Sequence, residues 1–193
     1  MKKKITALMV SLGMILLTGC QNMGTVDVTT LQIKNDGTIY ATHVEDFDKS
    51  YYDIDELEIS IDTLIAEYNR EAGENSITVD KVQQKDTKAI VKMEYSSAKN
   101  YNDFNRVPFF VGAVDVAYLA GYEFDELTSV SGDGSTISLK EADKAGYIVV
   151  AVQEKINIKV PGKVLYTSDT VSLVSAKKVS VTDDETVSYI IYE

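Results

Sequence analysis

Between residues 54 and 72 apolar side chains recur every three or four positions, at Ile54, Leu57, Ile61, Leu64, Ile65, Tyr68 and Ala72. This spacing turns one stripe of a helix toward a core. Asp53 followed by Glu56 has the capping-box pattern, Tyr52 and Leu57 are spaced as a hydrophobic staple, and Gly73 closes the segment. On both sides of this helix the period falls to two. Residues 31–34 and 38–44 flank Asn35-Asp36-Gly37, which tolerates the positive φ of a tight turn, so they predict a β-hairpin. Residues 77–83 and 89–95, around Lys85-Asp86, predict a second strand pair in which Ala89, Val91, Met93 and Tyr95 share the buried face.

Residues 114–122 and 139–147 align with four identities in nine positions. Each copy places Ala at C3, Gly at C′ and Tyr at C″, the Schellman arrangement, and Ser138 with Glu141 adds a capping box to the second. They predict two short helices that end alike. From residue 147 onward six strands follow, at 147–153, 156–160, 163–167, 171–174, 178–181 and 187–192. Pro161-Gly162 fits either a turn or a kink in a longer edge strand. No Pro-rich or Ser/Gly-rich linker interrupts residues 31–193, a length that suits one core. The expected fold class is α+β: a single domain with antiparallel sheets, one long amphipathic helix, two or three short helices and a C-terminal β-meander.

The first twenty residues follow other rules. Lys2, Lys3 and Lys4 precede a mostly apolar run over residues 5–17, shorter than the roughly 20 residues that span a bilayer as a helix. Leu17-Thr18-Gly19-Cys20 then resembles the lipobox of bacterial prolipoproteins. The resemblance covers the leader alone. It implies that residues 1–19 are a signal peptide removed in processing. Cys20 becomes the N-terminus and carries a diacylglyceryl group with fatty acyl chains such as palmitate, and residues 20–30 form the lipidated Cys and a short tether. Two acyl chains supply the double signal that stable membrane anchoring needs. The implied location is the extracytoplasmic face of the cell membrane, within the cell envelope.

Charge narrows the partners. The 193 residues carry 19 Lys plus Arg and 30 Asp plus Glu, a formal charge of −11. Without the three leader lysines the excess of acid is larger still. Such a body has no electrostatic means of holding nucleic acid, and it repels anionic lipid. The one Cys and one His exclude a disulfide framework and leave zinc short of ligands. His43 has no nucleophile or orienting acid beside it in sequence, so no triad is legible. Asp46, Asp48 and Ser50 begin like an EF-hand loop, yet Tyr51 stands where Gly is required and Leu57 where Glu is required. An irregular calcium site using Asp46, Asp48, Asp53 and Asp55 competes with a solvated acidic loop. Residues 131–135 lack the Lys of a phosphate loop. Hydrolysis by paired carboxylates needs two acids at a set separation, and no pair stands out. Twelve tyrosines, among them Tyr51, Tyr52, Tyr101, Tyr118 and Tyr122, serve either a Trp-free core or an exposed binding patch.

The expectation is therefore a membrane-anchored, non-catalytic binding module for an envelope protein or wall component, with no cofactor. The alternative is a small-ligand or glycan binder, or a carboxylate-dependent hydrolase. The anchor has a direct test: Cys20→Ala is expected to move the protein from the membrane fraction to the soluble fraction and to abolish metabolic labelling with fatty acid.

Overall fold

The computed structural model describes residues 28–193; Cys20, the leader and most of the expected tether lie outside the described residues. The first hairpin forms as its turn chemistry dictates. Strands β1 (Thr30–Ile33) and β2 (Ile39–Asp46) pair antiparallel. Gly37 takes φ +86°, and its N–H donates to the Lys34 carbonyl. Helix α1 (Ile54–Ala72) starts where Asp53 accepts the Asp55 and Glu56 N–H groups. Strands β3 (Ile77–Lys85) and β4 (Lys88–Tyr95) close around Asp86, which adopts a left-handed φ of +54°. Ala89, Val91, Met93 and Tyr95 are buried along β4 as their alternation requires.

Helix α2 (Ala98–Asn105), strand β5 (Phe109–Ala113) and helix α3 (Val114–Leu119) follow. Strands β6 (Glu126–Ser129) and β7 (Thr136–Ser138) lead to helix α4 (Leu139–Ala145). Ser138 and Glu141 form the full capping box at the start of α4. The two copies of the internal repeat end in the same way: the Tyr122 N–H donates to the Ala117 carbonyl and the Tyr147 N–H to that of Ala142. Both alanines are buried under these closures.

The remaining strands are β8 (Ile148–Val152), β9 (Asn157–Lys159), β10 (Val164–Thr167), β11 (Val171–Ser175), β12 (Lys178–Val181) and β13 (Ser188–Tyr192). They lie where the sequence predicts strands, but they do not run as one meander. The seven-stranded sheet has the order β11-β12-β9-β1-β2-β4-β3 and the six-stranded sheet the order β5-β8-β13-β10-β6-β7. The C-terminal chain therefore passes repeatedly between sheets. A period of two fixes which residues face a core, not which sheet a strand joins. Nor is the pairing all antiparallel, because β9 lies parallel to β1 with Ile158 opposite Leu31. Pro161-Gly162 is neither a hairpin turn nor a kink within one strand; it carries the chain from β9 in one sheet to β10 in the other. The domain also begins earlier than expected. Thr29 and Thr30 are buried, and the Thr29 carbonyl accepts the Asn157 N–H, so both belong to the sheet and not to the tether.

The main core lies between the sheets, with Leu31, Ile39, Ile158 and Val179 from the larger and Phe109, Val150, Val152 and Ile190 from the smaller. A second cluster joins Val149 and Ile191 to Val114 and Ala117 of α3 and Ala142 of α4. Strand β8 is thus covered on both faces, which accounts for its unbroken apolar run. Helix α1 contributes a narrower stripe than its sequence suggests. Ile65 is buried and Leu57, Ile61 and Tyr68 pack against the main core, whereas Ile59 and Leu64 are 66% and 55% exposed. Among the described residues no helix is long and apolar enough to cross a membrane.

One glycine is held by close approach. A Cβ on Gly162 would lie 1.5 Å from the Glu193 carbonyl oxygen, beside the paired backbone bonds between Lys163 and Glu193. Gly162→Ala is expected to lower stability by about 1–3 kcal/mol, the usual cost of overpacking, read from urea unfolding. Gly112→Ala, which meets only the movable ring tip of Phe110, is expected to cost less.

Candidate functional site

Strand register brings three side chains of β4 beside three of β2: Val91 lies opposite His43, Ala89 opposite Glu45 and Met93 opposite Ala41. Helix α1 lies over this surface unevenly. Its C-terminal half is clamped, because the Asn69 amide donates to the Ile77 carbonyl and accepts the Ile77 N–H, and the Tyr68 hydroxyl donates to Asn100 Oδ1 of α2. Its N-terminal half packs against the core through Leu57 and Ile61, both half-buried. Between that half and the sheet is an open cleft of about 310 Å³, lined by His43, Glu45, Phe47, Leu57, Ile61, Ala89, Val91, Met93 and Asn105. This volume lies at the small end of ligand-binding cavities, which are typically apolar with few polar groups. At the rim the ring of Phe47 stacks on Tyr52 at 4.9 Å, and Tyr52 meets Tyr51 edge-on at 4.9 Å. Tyr51 is 75% exposed, so an aromatic ladder leads from the cleft into solvent.

A polar network centred on the buried Tyr95 and Tyr101, with half-buried His43, Asn105 and Glu154, adjoins the cleft. The Tyr95 hydroxyl is 3.2 Å from His43 Nε2 and accepts from the Asn105 amide nitrogen at 3.2 Å. The same nitrogen donates to the Tyr101 carbonyl at 2.9 Å. The Tyr101 hydroxyl donates to Glu154 Oε2 at 2.8 Å. Burial shapes the titration of every member. It pushes both phenols above the ordinary tyrosine range. It lowers His43 from 6.5 to about 4, so the imidazole is neutral at physiological pH. Glu154 is held above the ordinary glutamate value chiefly by burial and secondarily by the charge of Glu45, against the lowering effect of the Tyr101 hydrogen bond.

The sequence-selected acids meet different fates. Asp46 pairs with Lys88 and Asp48 with Lys49, while Asp53 caps α1 and Asp55 lies in its first turn. The four are used separately. Among the described residues no three His, Cys, Asp or Glu side chains converge on a point that could hold a metal ion. The loop at residues 131–135 is a turn in which Asp133 accepts from the Ser135 N–H and hydroxyl. Of the tyrosines singled out, Tyr101 is buried in the network, Tyr51 and Tyr52 form the rim, and Tyr118 is exposed on α3. Glu45, Asn105 and Glu154 went unrecognised. Nothing in a linear sequence marks an acid or amide whose partners lie 10 to 53 positions away.

Comparison with protein-family models, with curated proteins and with solved structures finds no match. The site is therefore read from its geometry.

The depressed His43 value sets a pH dependence. Below pH 6.5 the unfolded chain takes up a proton that the folded chain refuses until about pH 4, so stability falls as the pH falls through that window, by about 3 kcal/mol at most. His43→Gln is expected to flatten this part of the curve, measured as urea midpoints between pH 7 and pH 4. An unchanged slope would place the imidazole in contact with water.

Proposed function

We propose that this protein is a lipid-anchored binding module of the extracytoplasmic membrane face, and that it receives an apolar group in the cleft between α1 and the β2–β4 surface. One observation carries the reading: six apolar side chains and three polar ones line a cavity that is open to solvent and edged by exposed aromatic rings. Exposed aromatic surface beside an apolar cavity marks a binding site more often than a spare face of a monomer. The anchor rests on the lipobox residues Leu17 to Cys20 and on the lysines and apolar run before them. A −11 chain repels anionic lipid, so an anchored body stands off the bilayer with its cleft accessible to envelope components.

Catalysis is the weaker reading of the same residues. A general base needs a proton within hydrogen-bond reach and an orienting partner. His43 Nε2 instead faces the Tyr95 hydroxyl, and its low value makes it a poor base. The two carboxylates beside the cleft and its network are Glu45 and Glu154. Glu45 lines the cleft, but Glu154 does not, and an acid–base pair for hydrolysis must flank the scissile bond. A glycan would set hydroxyl groups against aliphatic walls that cannot bond them, at a cost for each group left unpaired.

The chain has no Trp, so Tyr52→Trp supplies a single reporter at the rim. With this variant anchored on vesicles, apolar probes that enter the cleft are expected to change the emission saturably. Ile61→Trp, built on the Tyr52 protein and followed by thermal unfolding, is expected to abolish the stabilisation those probes confer on the folded state. Stabilisation that survives Ile61→Trp would place binding elsewhere.

A further inference from the structure

We propose that the cleft selects a small aromatic ammonium ion, seating its apolar body among Leu57, Ile61 and Met93 and its charged end between Glu45 and Asn105. The inference rests on the binding reading above and gives it a ligand class.

Of the three polar side chains that line the cavity, Glu45 and Asn105 offer acceptors, while His43 is engaged through Nε2 with the Tyr95 hydroxyl. The Asn105 amide nitrogen is committed to the Tyr95 hydroxyl and the Tyr101 carbonyl, which leaves Oδ1 as its available atom. Glu45 is an uncompensated charge. Its neighbours Asp46 and Asp48 are paired with Lys88 and Lys49, whereas Glu45 makes no ion pair among the described residues and no Lys or Arg lines the cleft. A ligand that brings hydrogen-bond donors and positive charge satisfies both groups, and charge-assisted hydrogen bonds are about twice as strong as neutral ones. A carboxylate ligand would meet the solvent-exposed Glu45 with like charge, a repulsion that solvent weakens without reversing. A neutral ligand of the same shape would lose the charge term and keep the apolar one.

Shape and rim point to the same class. About 310 Å³ accommodates one ring with a short chain. The stacked rings of Phe47 and Tyr52, extended by Tyr51, offer π faces to an incoming ring and to a cation.

The test uses the full lipidated chain on zwitterionic vesicles, which do not themselves concentrate cations, with calorimetric titration against bare vesicles as the blank. Three probes of one shape are compared at pH 7: phenethylammonium, phenethyl alcohol and 3-phenylpropanoate. The ammonium is expected to bind at least tenfold tighter than the alcohol, as one charge-assisted contact requires, and the carboxylate to bind least. Glu45→Gln is expected to bring the ammonium down toward the affinity of the alcohol, with a smaller loss for the alcohol, whose hydroxyl keeps a neutral amide acceptor. Ile61→Trp, with folding verified by circular dichroism, is expected to remove all binding; Leu57→Trp serves if that variant does not fold. Equal binding of the three probes that is lost on filling the cleft would overturn charge selection and leave the apolar site standing. No binding of any probe to the folded chain would overturn both the ligand class and the cleft as a binding site.

Discussion

The contact between Tyr95 and Tyr101 is the constraint on which the arrangement of elements depends. Tyr95 comes from β4 and Tyr101 from α2, and their rings meet edge-on at 5.0 Å with both side chains fully buried. Phe109 of β5 packs against Tyr101 at 4.8 Å, which brings in the smaller sheet, and Phe104 joins Tyr95 to Tyr68 of α1. One chain of rings thereby links two helices and both sheets. Each tyrosine also carries a hydroxyl into the interior, where an unpaired polar group costs about 1–3 kcal/mol. Those hydroxyls dictate the positions of His43, Asn105 and Glu154.

The cleft follows from how that demand is met. With Asn105 drawn down to Tyr95 and Tyr101, and α1 clamped at its C-terminal half through Tyr68 and Asn69, the first turns of α1 are left with only apolar contacts to the sheet. The result is an apolar space bounded on one side by a rigid hydrogen-bonded network and on the other by a helix end held less firmly. Partially satisfied surfaces of this kind are where binding energy is available, because a ligand buries area the fold leaves open.

Much of the local structure was legible in the chain. The turn at Asn35-Asp36-Gly37, the cap at Asp53, the matched ends at Tyr122 and Tyr147 and the alternation along β4 all arise from contacts within a few residues, and each formed as its chemistry requires. The extent of α1 was legible too, but not how deeply it sits: Leu64 has the right spacing for the core and yet is 55% exposed. The candidate site was not legible. His43 was visible as the sole histidine, and its role was not, since its neutral state depends on packing beneath Tyr95 and Tyr101. Glu45 looked like one acid among 30 until Lys88 and Lys49 were seen to neutralise its neighbours and not Glu45 itself.

The sequence by itself determined the turns, caps, helix ends and strand faces, because these are set by the dihedral preferences and short-range hydrogen bonds of adjacent residues; the expected address rests on the resemblance of Leu17 to Cys20 to a lipobox. Only the tertiary structure decided that the last six strands divide between two sheets, that β9 runs parallel to β1 and that a cleft lies beside a buried tyrosine network. Those outcomes rest on pairings between distant segments, such as Leu31 with Ile158 and Tyr101 with Glu154. Every half-buried strand presents the same alternation to many partners, and the choice among them is made by how all the faces fill one interior at once.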